Sequence, residues 1–156
     1  MTEQTPDLEF LSRIELYFSM RQMTRTLRRF AERLDQDYDS VLLFLIVVED
    51  GFRAIFHLAP SMVAEQDFHQ LYMDVASEGL SLLQIGESSG VARETVRRKI
   101  KQLIDLKYLA LNPKNKNVYL PYSTITNPIF SEVFRMQIDD VEKFIRSAQY
   151  YTAPRA

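Results

Sequence analysis

Arg93, Glu94, Thr95, Arg97, Arg98 and Lys101 are the residues whose types and spacing in this 156-residue chain best fit a chemical task. If they lie on a helix, five of them (all but Thr95) share one side at about 100° per residue. Arginine presents a planar fork that matches O6 and N7 of guanine, and a carboxylate accepts from N4 of cytosine. A surface that only neutralises phosphates gains nothing from an acid, so Glu94 among the cations points to base reading. Thr95 suits a phosphate or a thymine methyl. The plainer role for Glu94 is a surface pair with Arg98 four residues on, worth a few tenths of a kcal/mol, and the two roles are compatible in the free protein. Further along, Lys114, Asn115 and Lys116 stand in a turn where they can reach phosphates or an adjacent minor groove. Solvated turn residues are the plainer reading there.

Two helices must hold that face, and the sequence supplies them. Ser81 with Gln84 three residues later has the spacing of a capping box and opens a short helix over about 82–88. Two helices crossing steeply through a short turn have defined demands. Ile85 is the apolar anchor of the first, and Gly86 after it meets the demand for a small residue facing the second. Gly90 tolerates the positive φ of the turn, and Val91 plugs the core. The second helix, about 93–107, buries Val96, Ile100, Leu103 and Ile104 and exposes the opposite side. Tyr108–Asn112 and Asn117–Pro121 are β-prone and flank Pro113–Lys116, which predicts a hairpin.

The segment from Ser81 to Leu103 resembles the helix-turn-helix of bacterial winged-helix regulators. Arg93-Glu94-Thr95-Val96-Arg97-Arg98 resembles the recognition helix of cyclic-AMP-receptor/FNR-type activators, as does the pair Ile85-Gly86. Thr95 to Arg98 is equally similar to GntR-type repressors. The resemblance implies that Arg93, Glu94 and Arg98 contact bases and that the hairpin is the wing. It covers about 40 residues. There are departures. Ala92 stands where a Ser or Thr cap is usual, costing about 1 kcal/mol of capping. Lys99 fills a slot commonly apolar, so the helix shifts or the lysine snorkels. No cyclic-nucleotide β-domain is present in the 156 residues.

The rest of the chain reads as long amphipathic helices: about 8–34, 37–57, 62–78 with Ser61 as its cap, and 129–150 opened by Asn127-Pro128. The order resembles MarR-type regulators, which implies a two-fold dimer through the terminal helices. The expected fold is therefore mainly α with a small β-hairpin wing, a winged helix-turn-helix flanked by long dimerisation helices. Residues 8–60 are the amino-terminal helices, 61–121 the DNA-binding unit and 127–150 the carboxy-terminal dimerisation helix. Two apolar stripes are hard to bury in one small unit, which favours a homodimer over a monomeric core. Arg21, Arg25, Arg28 and Arg29 read first as a solvated face and second as a DNA flank. Phe68, His69, Tyr72 and Met73 read first as core and second as the lining of a pocket for a small-molecule effector.

Charge and composition bound the alternatives. From Arg93 to Lys116 eight Lys/Arg less two acids give +6, and the total of −2 leaves −8 elsewhere. A basic segment on an acidic body can be oriented toward phosphates. With no cysteine there is no disulfide, thiolate metal site or thiol nucleophile. His57 and His69 lack metal-ligand spacing, there is no glycine-rich phosphate loop, and Glu49-Asp50 and Asp139-Asp140 diverge as helix neighbours. Neither an enzyme nor a cofactor is expected. The apolar run Val41–Val48 is too short to span a bilayer. Met1–Asp7 lacks the pattern of a signal peptide, so the expected location is the cytoplasm. The expected partner is double-stranded DNA, read by a homodimer on a pseudo-palindromic site. The rival is a winged helix used for protein–protein contact as a scaffold or anti-regulator, which would carry apolar residues where Arg93, Glu94 and Arg98 stand.

Overall fold

A computed structural model describes the backbone over residues 8–57 and 67–152, with side chains throughout except at 8–12, 56, 68, 151 and 152. The chain is mainly helical with one small hairpin. In order come α1 (Leu8–Leu34), α2 (Tyr38–Phe56), α3 (Phe68–Val75) continued by a 3-10 turn (Ala76–Glu78), α4 (Leu82–Ser89) and α5 (Arg93–Asp105). Then follow β1 (Ala110–Leu111), β2 (Val118–Tyr119), α6 (Tyr122–Ile125) and α7 (Pro128–Thr152). The expected cap Ser61 and the start of the helix from 62 lie outside the described residues, as does the tail beyond Thr152. The four-residue helix α6 was not anticipated, because its span carries no full apolar period.

The core forms around α2, the most continuously apolar helix. Val41, Leu43, Phe44, Val47 and Val48 are buried on it, and α1, α3, α4 and α5 all pack against it. Asp37 starts this helix by accepting from the Ser40 amide at 2.8 Å, which satisfies one of the free donors of the first turn. Phe44 stacks on Phe130 of α7 with centroids 5.3 Å apart, and Tyr108 meets Phe130 edge-on at 5.1 Å. A smaller cluster of Ile55, Leu71, Tyr72 and Ala76 sits under α3.

The terminal helices α1 and α7 run antiparallel. Arg33 pairs with Glu132 at 2.6 Å, Thr26 with Gln137 at 2.9 Å, and Phe18 with Phe144 at 6.2 Å between centroids. Their apolar stripes divide in two along their length. On α1, Leu27, Phe30, Ala31 and Leu34 pack into the core, whereas Leu16, Met20 and Met23, on the same side by spacings of 4, 7 and 11, stand exposed. On α7, Phe130, Val133 and Phe134 pack inward. The sequence put Ile138, Val141 and Ile145 on the same apolar side, and in the single chain they are exposed. The cause is length: a helix of 27 residues spans about 40 Å, farther than the other helices cover it.

Candidate functional site

The two helices α4 and α5 form as the residues require. Ser81 accepts from the Gln84 amide at 3.2 Å, and the Gln84 side chain accepts from the Ser81 amide at 2.9 Å, a complete capping box. Gly90 closes α4 in the left-handed conformation, φ 69°, its amide donating to Gly86 at 2.9 Å. Ser89 Oγ accepts from the Val91 amide at 3.1 Å and fixes the turn. Ile85, Val96, Ile100 and Leu103 are buried together, with Val91 and Ile104 packed against them. Gly86 faces α5 as expected of a small residue: a Cβ there would meet Val91 O and the Val96 side chain at 3.9 Å, ordinary contact distance, so alanine would fit as well as glycine.

Helix α5 is buried on one side and bare on the other. Arg93, Glu94, Arg97, Arg98 and Lys101 are all exposed, within an arc of about 140° at 100° per residue. Thr95 is half-buried at the edge of that arc. Ala92 makes no side-chain cap, so the first turn of α5 keeps free amides at the end where Arg93 and Glu94 stand. Glu94 pairs with Arg97 at 2.9 Å, not with Arg98 as the i, i+4 spacing led us to expect. Both partners are more than two-thirds exposed, and such a pair is worth only a few tenths of a kcal/mol. Lys101 pairs with Asp105 at 3.0 Å. Arg93 and Arg98 make no ion pair among the described residues.

Lys99 does not snorkel to water: it is 6 % exposed and forms an ion pair with Asp37, 62 residues away at the cap of α2. The hydrogen bond from Lys99, and after it the one from the Ser40 amide, hold the Asp37 carboxyl down at about 2. One carboxylate thus both caps α2 and anchors the buried side of α5.

The hairpin is shorter than the sequence predicted. Strands β1 and β2 pair antiparallel, Ala110 with Tyr119 and Leu111 with Val118, and Leu80 adds a bridge to Val118. The amides of Tyr108 and Leu109 are taken instead by Leu103 O, closing α5 at 2.9 and 3.3 Å. Asparagine side chains tie the loop down. Asn112 donates to Ser77 O at 2.7 Å and accepts from the Lys114 amide at 2.8 Å. Asn115 donates to Glu78 O at 3.1 Å and accepts from the Asn117 amide at 2.9 Å. Asn115 is exposed, and in the free protein its side chain braces the loop against the turn before α4. Lys114 and Lys116 remain exposed at the tip, Lys116 with φ 61°. Gly79 stops the helix where the sequence ends it, with φ 67°, but the sequence does not show that its added Cβ would lie 2.4 Å from Val118 O. Only glycine fits that crossing.

Elsewhere the sequence candidates scatter. Tyr72 is fully buried and donates its hydroxyl to Leu120 O, so it is core. His69 is exposed with its ring 4.4 Å from Tyr122, Met73 is exposed, and the Phe68 side chain lies outside the described residues. Arg28 pairs with Glu32 and Arg29 with Asp140, while Arg21 and Arg25 line a groove with Lys143. Among the described residues no three His, Asp or Glu cluster to hold a metal, and no helix is long and apolar enough to cross a membrane. Compared with family models, with curated proteins and with solved structures, the chain matches none.

Proposed function

We propose that this chain is a sequence-specific double-stranded DNA-binding transcriptional regulator, reading its site through a winged helix-turn-helix made of α4, α5 and the hairpin. The observation that carries the reading is the arc on α5: five charged side chains, four of them basic, exposed around a free amino end on a helix whose other side is locked in the core. An α-helix enters the major groove by that end. Arg93 and Arg98 suit guanine, and Glu94 leaves its weak pair with Arg97 to accept from cytosine. Arg97 and Lys101 serve phosphates at the flanks of the helix, Thr95 serves a phosphate or thymine methyl at its edge, and Lys114 and Lys116 serve phosphates from the wing. The layout supports kinship with the winged-helix regulators that the sequence resembles.

The protein acts as a homodimer on a pseudo-palindromic site. Support comes from the exposed stripes Leu16, Met20 and Met23 on α1 and Ile138, Val141 and Ile145 on α7. They prolong the core-facing sides of both helices, and contiguous apolar surface of this kind marks an interface. A two-fold pair sets two recognition helices about 34–36 Å apart, one turn of DNA. The rival reading, a protein-contact module, would need an apolar face on α5, and this one is polar. Selection of bound sequences from a random DNA pool tests the proposal. An enriched palindrome supports function and symmetry together; a pool with no enrichment overturns both.

A further inference from the structure

The side of the α1/α7 pair opposite the exposed apolar stripe carries a groove of about 190 Å³. Arg21, Gln22 and Arg25 of α1 and Lys143 of α7 line it, and Phe18 and Phe144, edge to face, close its apolar end. Arg21 and Arg25 lie roughly 100–160° around α1 from Met20 and Met23, at 100° per residue. A dimer formed through the stripe therefore leaves the groove open.

The groove is short of negative charge. Its acid, Asp140, is engaged by Arg29, which leaves Arg21, Arg25 and Lys143 with no ion pair among the described residues. Arg25 and Lys143 still help to hold the Asp140 carboxyl below its usual range, after the larger effect of the Arg29 hydrogen bond. Gln22 adds a second, independent sign. Its Nε2 is buried and has no hydrogen-bond partner. A buried donor left unmade costs free energy that a ligand acceptor recovers.

We propose that this groove binds a small phosphorylated organic molecule. Its phosphate meets Arg21, Arg25 and Lys143, one oxygen accepts from Gln22 Nε2, and its carbon body rests on Phe18 and Phe144. Phosphate fits better than a monocarboxylate, because a monoester near neutral pH carries about −1.5 to −2 against three unmatched cations, and arginine forks suit its oxygens. The volume of about 190 Å³ is room for a small ligand, well above the roughly 30 Å³ that one water occupies. The proposal stands independently of the DNA-binding reading.

Calorimetric titration of the full chain with phenyl phosphate tests it, with inorganic phosphate and phenol as controls. Saturable binding of phenyl phosphate is expected, weaker binding of inorganic phosphate, and none of phenol. Arg25→Gln with Lys143→Gln should weaken phenyl phosphate at least about tenfold, or 1.4 kcal/mol. Gln22→Leu removes the orphaned donor, so it should raise the thermal midpoint of the free protein while lowering its affinity for phenyl phosphate. A merely structural role for Gln22 would move only the midpoint. Absence of saturation, equal affinity in the double variant, or displacement of phenyl phosphate by duplex DNA of unrelated sequence would each overturn the proposal. The last result would make the groove part of a nucleic-acid surface.

Discussion

Replacing Asp37 by asparagine separates the two tasks of that residue. The amide keeps an oxygen for the Ser40 amide, so the cap of α2 survives. What goes is the charge opposite Lys99, whose side chain is 6 % exposed. The carboxyl sits at about 2 instead of 3.8, chiefly because of the Lys99 hydrogen bond. At about 1.4 kcal/mol per tenfold change in proton affinity, the ceiling on that stabilisation is about 2.5 kcal/mol. Asp37 is itself 61 % exposed, and screening by water reduces the figure to roughly 1 kcal/mol. Leaving the Lys99 ammonium buried beside a neutral amide adds up to about another 1 kcal/mol. Asp37→Asn should therefore cost about 1–2 kcal/mol at pH 7. The folded carboxyl is the more acidic, so its stabilisation is present above the unfolded value near 4 and is lost as pH falls from there toward 2. Urea denaturation followed by circular dichroism, at pH 7, 4 and 2.5, should show the gap between wild type and variant narrowing by roughly 1 kcal/mol. Lys99→Met should cost less than Asp37→Asn at pH 7, because the exposed carboxylate left behind is solvated. A gap of constant size across that range, or the reverse order of the two variants, would refute the role given to the ion pair.

Three glycines should rank by their backbone and space. Gly79→Ala should destabilise by more than about 2 kcal/mol or prevent folding, Gly90→Ala by about 1–2 kcal/mol from its positive φ with open space around it, and Gly86→Ala should be neutral or stabilising by up to about 1 kcal/mol. Thermal melts of the three decide the order. Met20→Glu or Ile138→Glu should convert the dimer to monomer at micromolar concentration in sedimentation, with the helical circular dichroism retained. Lys114→Ala should weaken cognate and unrelated duplexes alike and reduce the slope of log affinity against log salt by about 1.

Local signals made α4, the turn and α5 legible in the sequence. Ser81 with Gln84, the spacing of Ile85, Val96, Ile100 and Leu103, and Gly90 act within about 20 residues of one another, and the structure has each in its expected place. What escaped was long-range. Lys99 looked like a flaw in the apolar stripe until Asp37 met it from α2. Asn115 looked like a tip free to reach outward, yet the turn at 76–78 holds it. Gly79 is needed because β2 crosses it, and nothing near it in sequence says so. Glu94 pairs with Arg97, and spacing alone does not separate that i, i+3 partner from Arg98 at i, i+4. Ile138, Val141 and Ile145 have the period of buried residues, but a period cannot say whether the cover comes from the same chain.

The base-reading role of α5 is the central claim, and single-base discrimination measures it directly. Wild type and Arg98→Ala would be titrated by fluorescence anisotropy against the selected duplex and every single-base variant of it. Wild type should lose about 1–3 kcal/mol at one base pair of each half-site that Arg98→Ala no longer distinguishes. Identical discrimination profiles for the two proteins would contradict the assignment of Arg98 to a base edge.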